Sequence, residues 1–288
     1  MSVALCACMK NEGPYILEWV AYHRMLGFRE IFIYDNSSTD QTPTILSRLA
    51  AAGFIRHIPW PDETLRVDPE NPLEGPQAPA YNDCLKRVES DWIAYIDADE
   101  FINLKQDETI DAFIDRFGSD VGMVSLNWRI FGSSGRHEAG EGLVMERFRR
   151  ASVEGFSANA NVKSISRVAD VLRAHVHICS IRRGRAVNDV GTTIPVFEHG
   201  GKVASTSHSV AQVNHYVLKS REEFEEKKRR GDATLSVKSP LKYGKMTEEF
   251  FSSHDANDEL DESILRRLGN TKFALRELES ICEDGVKF

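Results

Sequence analysis

No run of apolar residues in this 288-residue chain approaches the ~20 needed to cross a bilayer, which argues against an integral membrane protein. Its first apolar stretch, residues 3–9 (VALCACM), is too short for a signal-peptide core and lacks the usual flanks, so a cytoplasmic location is expected. Positive charge is also in deficit. The 36 Lys and Arg residues against 44 Asp and Glu residues give a formal net charge of -8, without the basic footprint of a nucleic-acid binder. Cysteine is scarce: Cys6, Cys8, Cys84, Cys179 and Cys282 are odd in number and show neither a C-x-x-C pair nor zinc-like spacing. A disulfide framework and a zinc ribbon are therefore not expected, and a reducing compartment is. Internal repeats and low-complexity segments are absent as well. Peripheral contact with the inner face of a membrane stays open, because a small surface patch leaves little trace in such totals.

What is present describes an ordinary globular protein, with 41% hydrophobic and 28% charged residues. Apolar runs alternate with helical patterns: 3–9, then YILEWVAYHRMLG, REIFIYD, QTPTILSRLAAAG, FIRHIPW, AYNDCLKRVES and WIAYI. Strand-helix alternation predicts an α/β fold with a wound, mainly parallel sheet and flanking helices, whose ligand crevice lies beyond the carboxyl ends of the strands. The proline-rich and acidic stretch from Pro61 to Pro79 carries no periodicity and reads as a long loop. Residues 107–118 read as a further helix and LVMERF, residues 143–148, as a strand. The chain from 219 to 288 changes to charged, helical sequence, so a catalytic domain over 1–218 and a helical C-terminal extension packed on it are expected.

The fourth strand, WIAYI, ends in three carboxylates, Asp97, Asp99 and Glu100. Like charges packed together need free solvation or a cation. Residues two apart in an extended segment face one side, so Asp97 and Asp99 can both address the crevice, where a hard Mg²⁺ or Mn²⁺ ion prefers oxygen ligands. A phosphatase of the haloacid-dehalogenase type also carries D-x-D at a strand end, but it would place Thr or Val where this chain has Phe101. After the second strand, Asp35, Asn36, Ser37, Ser38 and Asp40 form a polar cluster that suits either helix capping or recognition of a nucleobase N–H.

Taken in order, CMKNE, YDNSSTD and YIDADEF resemble segments of the nucleotide-sugar glycosyltransferases of the GT-A fold, most closely the family 2 and family 92 type. NWRIFGSSG is similar to an acceptor-side segment of family 92, and NHYVLKSREEFEEKKRRG to its closing HY motif and basic helix. The resemblance implies a metal-dependent hexosyltransferase-like enzyme. It would move a sugar from a UDP-sugar to a hydroxyl of a glycan or glycolipid, with inversion, and would serve polysaccharide synthesis. It places Asn11 and Glu12 at the nucleoside edge, Asp35 on the base with Asn36 beside it, Asp97 at the ribose or the metal, and Asp99 and His215 on the metal. Lys219, Arg221, Lys228 and Arg230 are candidates to neutralise diphosphate, Lys228 foremost. Trp128, Phe131 and Gly132 would form the acceptor site, with Phe131 facing the cleft and Trp128 more usually a core residue. Glu146 is the first choice for general base, with Glu138 and Asp189 as rivals. No Glu-Asp pair opens a helix after the glycine-rich loop, a departure from the family 2 pattern. His175 and His177, two apart in an alternating segment, can face a site together or serve as structural histidines. The alternatives are a nucleotidyltransferase, which should carry a glycine-rich basic loop after strand one that CMKNEG lacks, and a non-catalytic sugar-nucleotide-binding module.

Overall fold

In the computed structural model, which describes residues 1–61, 75–195, 201–232, 235–236, 239 and 242–283, the expected alternation appears from the first residues. Strand β1 (Val3–Met9) leads to helix α1 (Gly13–Met25), then β2 (Glu30–Asp35), α2 (Thr42–Ala51) and β3 (Arg56–Pro59). Pro14 sits in the first turn of α1, where its missing N–H costs nothing, and Gly27 closes the helix at φ 102°, a conformation open to glycine. Most of the proline-rich stretch, 62–74, lies outside the described residues; the helix expected from Ala80 is α3 (Gln77–Cys84), which starts three residues earlier, so Gln77–Pro79 are helix rather than loop. β4 (Trp92–Tyr95), β5 (Glu100–Leu104), α4 (Ile110–Ile114) and β6 (Val121–Ile130) follow.

The middle of the chain is built from short pieces. LVMERF is not a strand: Val144–Arg147 forms the single helical turn α5, because the Glu18 carboxylate accepts the Val144 and Met145 N–H groups at 2.7 and 3.1 Å and so caps it. Strands β7 (Arg150–Ala151), β8 (Val162–Arg167), β9 (Val171–Ala174), β10 (Cys179–Ile181), β11 (Arg185–Val187) and β12 (Ala211–His215) lead to helices α6 (Arg221–Arg230) and α7 (Glu248–His254), strand β13 (Glu259–Leu260) and helix α8 (Leu268–Glu283).

The nine-stranded sheet runs β3-β2-β1-β4-β8-β6-β12-β5, with β11 also on β6. β3, β2, β1 and β4 are parallel, β8 is inserted antiparallel between β4 and β6, and β12 runs parallel to β6. β1, β2, β4, β6 and β12 therefore all end at one edge. Along β1, Val3, Leu5, Ala7 and Met9 join the larger apolar cluster with Trp19 and Val20 of α1, while Ala4, Cys6 and Cys8 join a second cluster with Tyr81 and Cys84 of α3. The period-two alternation of a strand thus feeds two cores, which is why β1 reads as continuously apolar. α8 packs on α1 and α2. Cys6, Cys84 and Cys179 are buried free thiols of the second cluster, which buried Cys8 joins, and Cys282 is also free.

His23 sits inside the larger core, between Trp19, Tyr22, Phe28 and Phe101. Its Nδ1 lies 2.9 Å from the Trp19 carbonyl and its Nε2 3.4 Å from the Ile102 N–H, a pattern that requires the neutral ring. Burial pushes its pKa down to about 3. Between the unfolded value near 6.5 and the folded value only the unfolded chain takes up this proton, so the contribution is full above pH 6.5 and falls as the pH drops toward 3. Urea melts at pH 7 and pH 5 should differ by about 2 kcal/mol from this group, and His23→Gln should remove that part of the difference. An unchanged acid dependence in the variant would assign it elsewhere.

Candidate active site

The carboxyl ends of the strands surround a cavity of about 340 Å³, lined by Lys10, Glu12 and Asn36 after β1 and β2, Gln77 of α3, Asp97 and Asp99 after β4, Trp128 and Ile130 of β6, and His215 and Val217 at the end of β12. Lys227 and Arg230 reach it from α6, and Asp232, Lys245, Phe250 and His254 from the chain that follows. Its size suits a nucleotide-sized ligand.

Asp97 and Asp99 both face this cavity, in the turn between β4 and β5. The cations that answer their crowding belong to the protein. Lys163, buried on β8, places Nζ 3.0 Å from Asp97 and 3.3 Å from Glu100, whose own carboxylate accepts the Asp97 N–H at 2.8 Å. Burial raises the Glu100 carboxyl despite Lys163, and Asp97 and Asp99 add to the rise. Gln77 and Tyr81 donate to the other Asp97 oxygen. On Asp99, burial alone would raise the carboxyl, but Lys227, His215 and Lys219 outweigh it and hold the group well below the usual range. Lys227 is paired with one Asp99 oxygen, and His215 Nε2 lies 3.7 Å from the other. Burial lowers His215 in spite of Asp99, so its ring is neutral at pH 7.

The nucleoside-edge residues are tied together rather than all aimed inward. Asn11, at φ 52°, accepts the Thr39 N–H at 2.8 Å and receives Ser38 Oγ on its own N–H at 2.9 Å, so it braces the loops after β1 and β2. Glu12 does line the cavity and pairs with Arg230 at 2.6 Å, while Arg230 also donates to the carbonyls of Lys10 and Asn11. Asp35 lies behind the lining: Ser38 N–H at 3.1 Å and His57 at 3.8 Å engage its carboxylate, and the cavity wall is its neighbour Asn36. His57 and Ser38 overcome the effect of burial and lower the Asp35 pKa. Asp40 caps α2 through Thr42 N–H at 2.9 Å and also receives Gly13 N–H.

Several expected residues lie elsewhere. Lys228 points away from the cavity and faces Glu225 at 3.7 Å; its neighbours Lys227 and Arg230 occupy the inward face of α6. That face is fixed by Phe224 in the core and by Glu223, which closes the Ser220 capping box and pairs with Arg147 through two 2.9 Å bonds. Arg221 bonds Glu225 and Glu248, and the buried Lys219 lies 3.9 Å over the Tyr15 ring. Phe131 has no exposed surface and packs on Tyr216, whereas Trp128 is the aromatic that lines the cavity, against His215 and His177. Gly132 allows close approach of the chain itself: a Cβ there would lie 2.7 Å from the Ala256 carbonyl oxygen. Glu146 is on α5, bonded to Lys272 at 2.6 Å, and does not reach the cavity. Asp189 is buried under the Val210 N–H at 2.8 Å, and Glu138 is exposed outside the cavity. Lys163, Lys227, Asp232 and His254 are the residues that sequence reasoning missed.

The sequence signature of glycosyltransferase family 92 matches residues 3–258. The chain belongs to glycosyltransferase family 92. Among family 92 proteins, one from Ricinus communis is 25% identical over 249 residues, 82% of this chain and 39% of that protein, and one from Oryza sativa subsp. japonica is 25% identical over 139 residues, 47% and 22% of the two lengths. The chain thus spans less than half the length of these family 92 relatives. Among solved structures, S. aureus TarS 1–349 in complex with UDP is 22% identical over 59% of this chain and 47% of that one, at a TM-score of 0.35. Glucosyl-3-phosphoglycerate synthase from Mycobacterium tuberculosis, in complex with Mg²⁺ and UDP, is 19% identical over 44% and 43%, at a TM-score of 0.30.

Proposed function

We propose that this family 92 chain is a metal-dependent, inverting glycosyltransferase that moves a sugar from a UDP-sugar to a hydroxyl of a glycan or glycolipid. The observation that carries the reading is the pairing of Asp99 with His215 in the wall of the cavity that Lys227 and Arg230 of α6 also line. An ionised carboxylate and a neutral imidazole 3.7 Å apart form a donor set that suits a divalent cation such as Mn²⁺ or Mg²⁺. No group of three His, Cys, Asp or Glu residues gathers for a metal among the described residues, so Asp99 and His215 would hold the ion with diphosphate oxygens and water as its other ligands. When bound, it neutralises charge on the leaving diphosphate.

The chain's own groups do the rest. Lys227 brings positive charge for the diphosphate, and Glu12, paired with Arg230, and Asn36 are placed for the nucleoside. Asp97, held by Lys163, Gln77 and Tyr81, offers a fixed acceptor to a ribose hydroxyl. Trp128 supplies a flat face to a sugar ring.

Thermal melts test the reading. UDP with Mn²⁺ should raise the melting temperature well above Mn²⁺ alone, and above CDP or GDP with Mn²⁺, because a ligand of the folded state stabilises it by mass action. If no uridine compound moves it, the assignment fails. UDP binding without turnover of any donor would leave a binding module.

A further inference from the structure

Among the described residues, every carboxylate in the cavity wall has a cation on it: Glu12 has Arg230, Asp97 has Lys163, Asp99 has Lys227, and Asp232 has Lys245 at 2.9 Å. A paired carboxylate is a poor proton acceptor, since the adjacent positive charge favours its ionised form. Glu146, Glu138 and Asp189 are outside the cavity. Among the described residues, the imidazoles of the wall, His177, His215 and His254, are the remaining candidates to accept the proton of the attacking acceptor hydroxyl.

His177 has the required arrangement. It sits in the turn between β9 and β10 and lines the cavity beside Trp128. Its Nδ1 lies 3.1 Å from the Val162 carbonyl, which can only accept, so Nδ1 carries the hydrogen and Nε2 the lone pair. Nε2 has no hydrogen-bond partner among the described residues. The ring is clamped. Trp128 stands 5.3 Å from it at 60°, and on another side a Cβ at Gly201 would overlap its Cγ, so only glycine lets the backbone lie there. Gly201 is itself held by the Val162 N–H, which donates to its carbonyl at 2.8 Å. One strand end thus fixes both the tautomer and the wall behind the ring.

We propose that His177 Nε2 is the general base of the transfer, a role that rests on the glycosyltransferase reading above. The acceptor hydroxyl gives its proton to Nε2 as its oxygen bonds the anomeric carbon. The bond from that carbon to the β-phosphate oxygen breaks, and its electron pair leaves with UDP. The imidazolium then returns the proton to solvent. His215 is committed to Asp99, while His254, on α7 with its ring stacked on Phe250 at 3.9 Å and its Nδ1 likewise 3.0 Å from a carbonyl, that of Phe250, is the rival imidazole that the test separates from His177.

The test measures UDP release from UDP-glucose, UDP-galactose and UDP-N-acetylglucosamine with Mn²⁺ and methyl glycosides as acceptors, beside UDP affinity by calorimetry. His177→Ala should lose about 10²- to 10⁴-fold in turnover with UDP affinity unchanged. Imidazole in the buffer should restore several-fold of that loss in His177→Ala, and none in His254→Ala. His177→Gln, which refills the space between Trp128 and Gly201 and can donate to Val162, should remain as slow as the alanine variant. Turnover of His177→Gln within tenfold of wild type, or rescue of His254→Ala instead, overturns the base while leaving the transferase reading intact. A wild type that binds no UDP and releases none overturns both.

Discussion

Replacing Lys163 with methionine is expected to destabilise the protein by about 3–5 kcal/mol, the cost of removing one partner from a buried ion pair. The side chain is 1% exposed, and its ammonium serves Asp97, Glu100 and the Val176 carbonyl at 3.0, 3.3 and 3.2 Å. Methionine fills nearly the same volume, so the loss is that of a counter-ion rather than a cavity. Asp97, whose side chain is 30% exposed, can turn to water, but Glu100 is wholly buried and keeps only the Asp97 N–H. Burial already pushes the Glu100 carboxyl up to about 8 with Lys163 in place, so without the lysine Glu100 takes up a proton at neutral pH, and the double variant Lys163→Met, Glu100→Gln should recover only a small part of the loss. Thermal melts read both, with a drop of about 10 °C for the single variant. A single variant within 1 kcal/mol of wild type, or a double variant that is worse, would show that Lys163 is not the counter-ion that lets the acidic tip of β4 fold.

That lysine marks the limit of what the sequence discloses. The alternation from β1 to β4 was legible because β1, β2 and β4 are built on apolar runs and α1 and α2 each have a proline start and a glycine stop, although β3 (RHIP) is half polar. The crowding of Asp97, Asp99 and Glu100 was legible too, as a demand for a cation. Its source was not: Lys163 lies in VKSISR, a strand buried along most of its length yet mostly polar, whose antiparallel insertion beside β4 has no local signature. The one-residue miss at Lys228 has a similar cause. In REEFEEKKRR four consecutive cations look alike, and Phe224 is compatible with either 227 or 228 facing inward. The Arg147–Glu223 pair, 76 residues apart, selects Lys227 and Arg230. Phe131 and Trp128 exchanged their expected places because strand parity near a bend depends on partners: Tyr216 buries the phenylalanine, and His215 holds the tryptophan at the wall. LVMERF became a helical turn because Glu18, 126 residues earlier, caps it. In each instance a distant contact decided what the local sequence left open.

Asp99→Asn should separate metal from lysine as sources of positive charge for the leaving group. Asparagine keeps the shape of the side chain and removes the charge that faces His215 and Lys227. Because Lys227 is 17% exposed and also donates to the Val217 carbonyl at 3.0 Å, it can be hydrated where a fully enclosed cation could not, so the fold should survive with a melting temperature within a few degrees of wild type. The Mn²⁺-dependent part of UDP binding should disappear, and turnover should fall about 10³-fold, the scale of removing one electrostatic stabiliser of a leaving charge. Lys227→Ala should behave differently. It frees Asp99 and leaves His215 in place, so UDP should bind more weakly at every Mn²⁺ concentration while the Mn²⁺ dependence persists. If both variants lose affinity alike and neither retains a response to Mn²⁺, then Lys227 and Asp99 act together as a single ion pair under the diphosphate. If Asp99→Asn binds UDP with the wild-type Mn²⁺ response, Asp99 does not hold the cation.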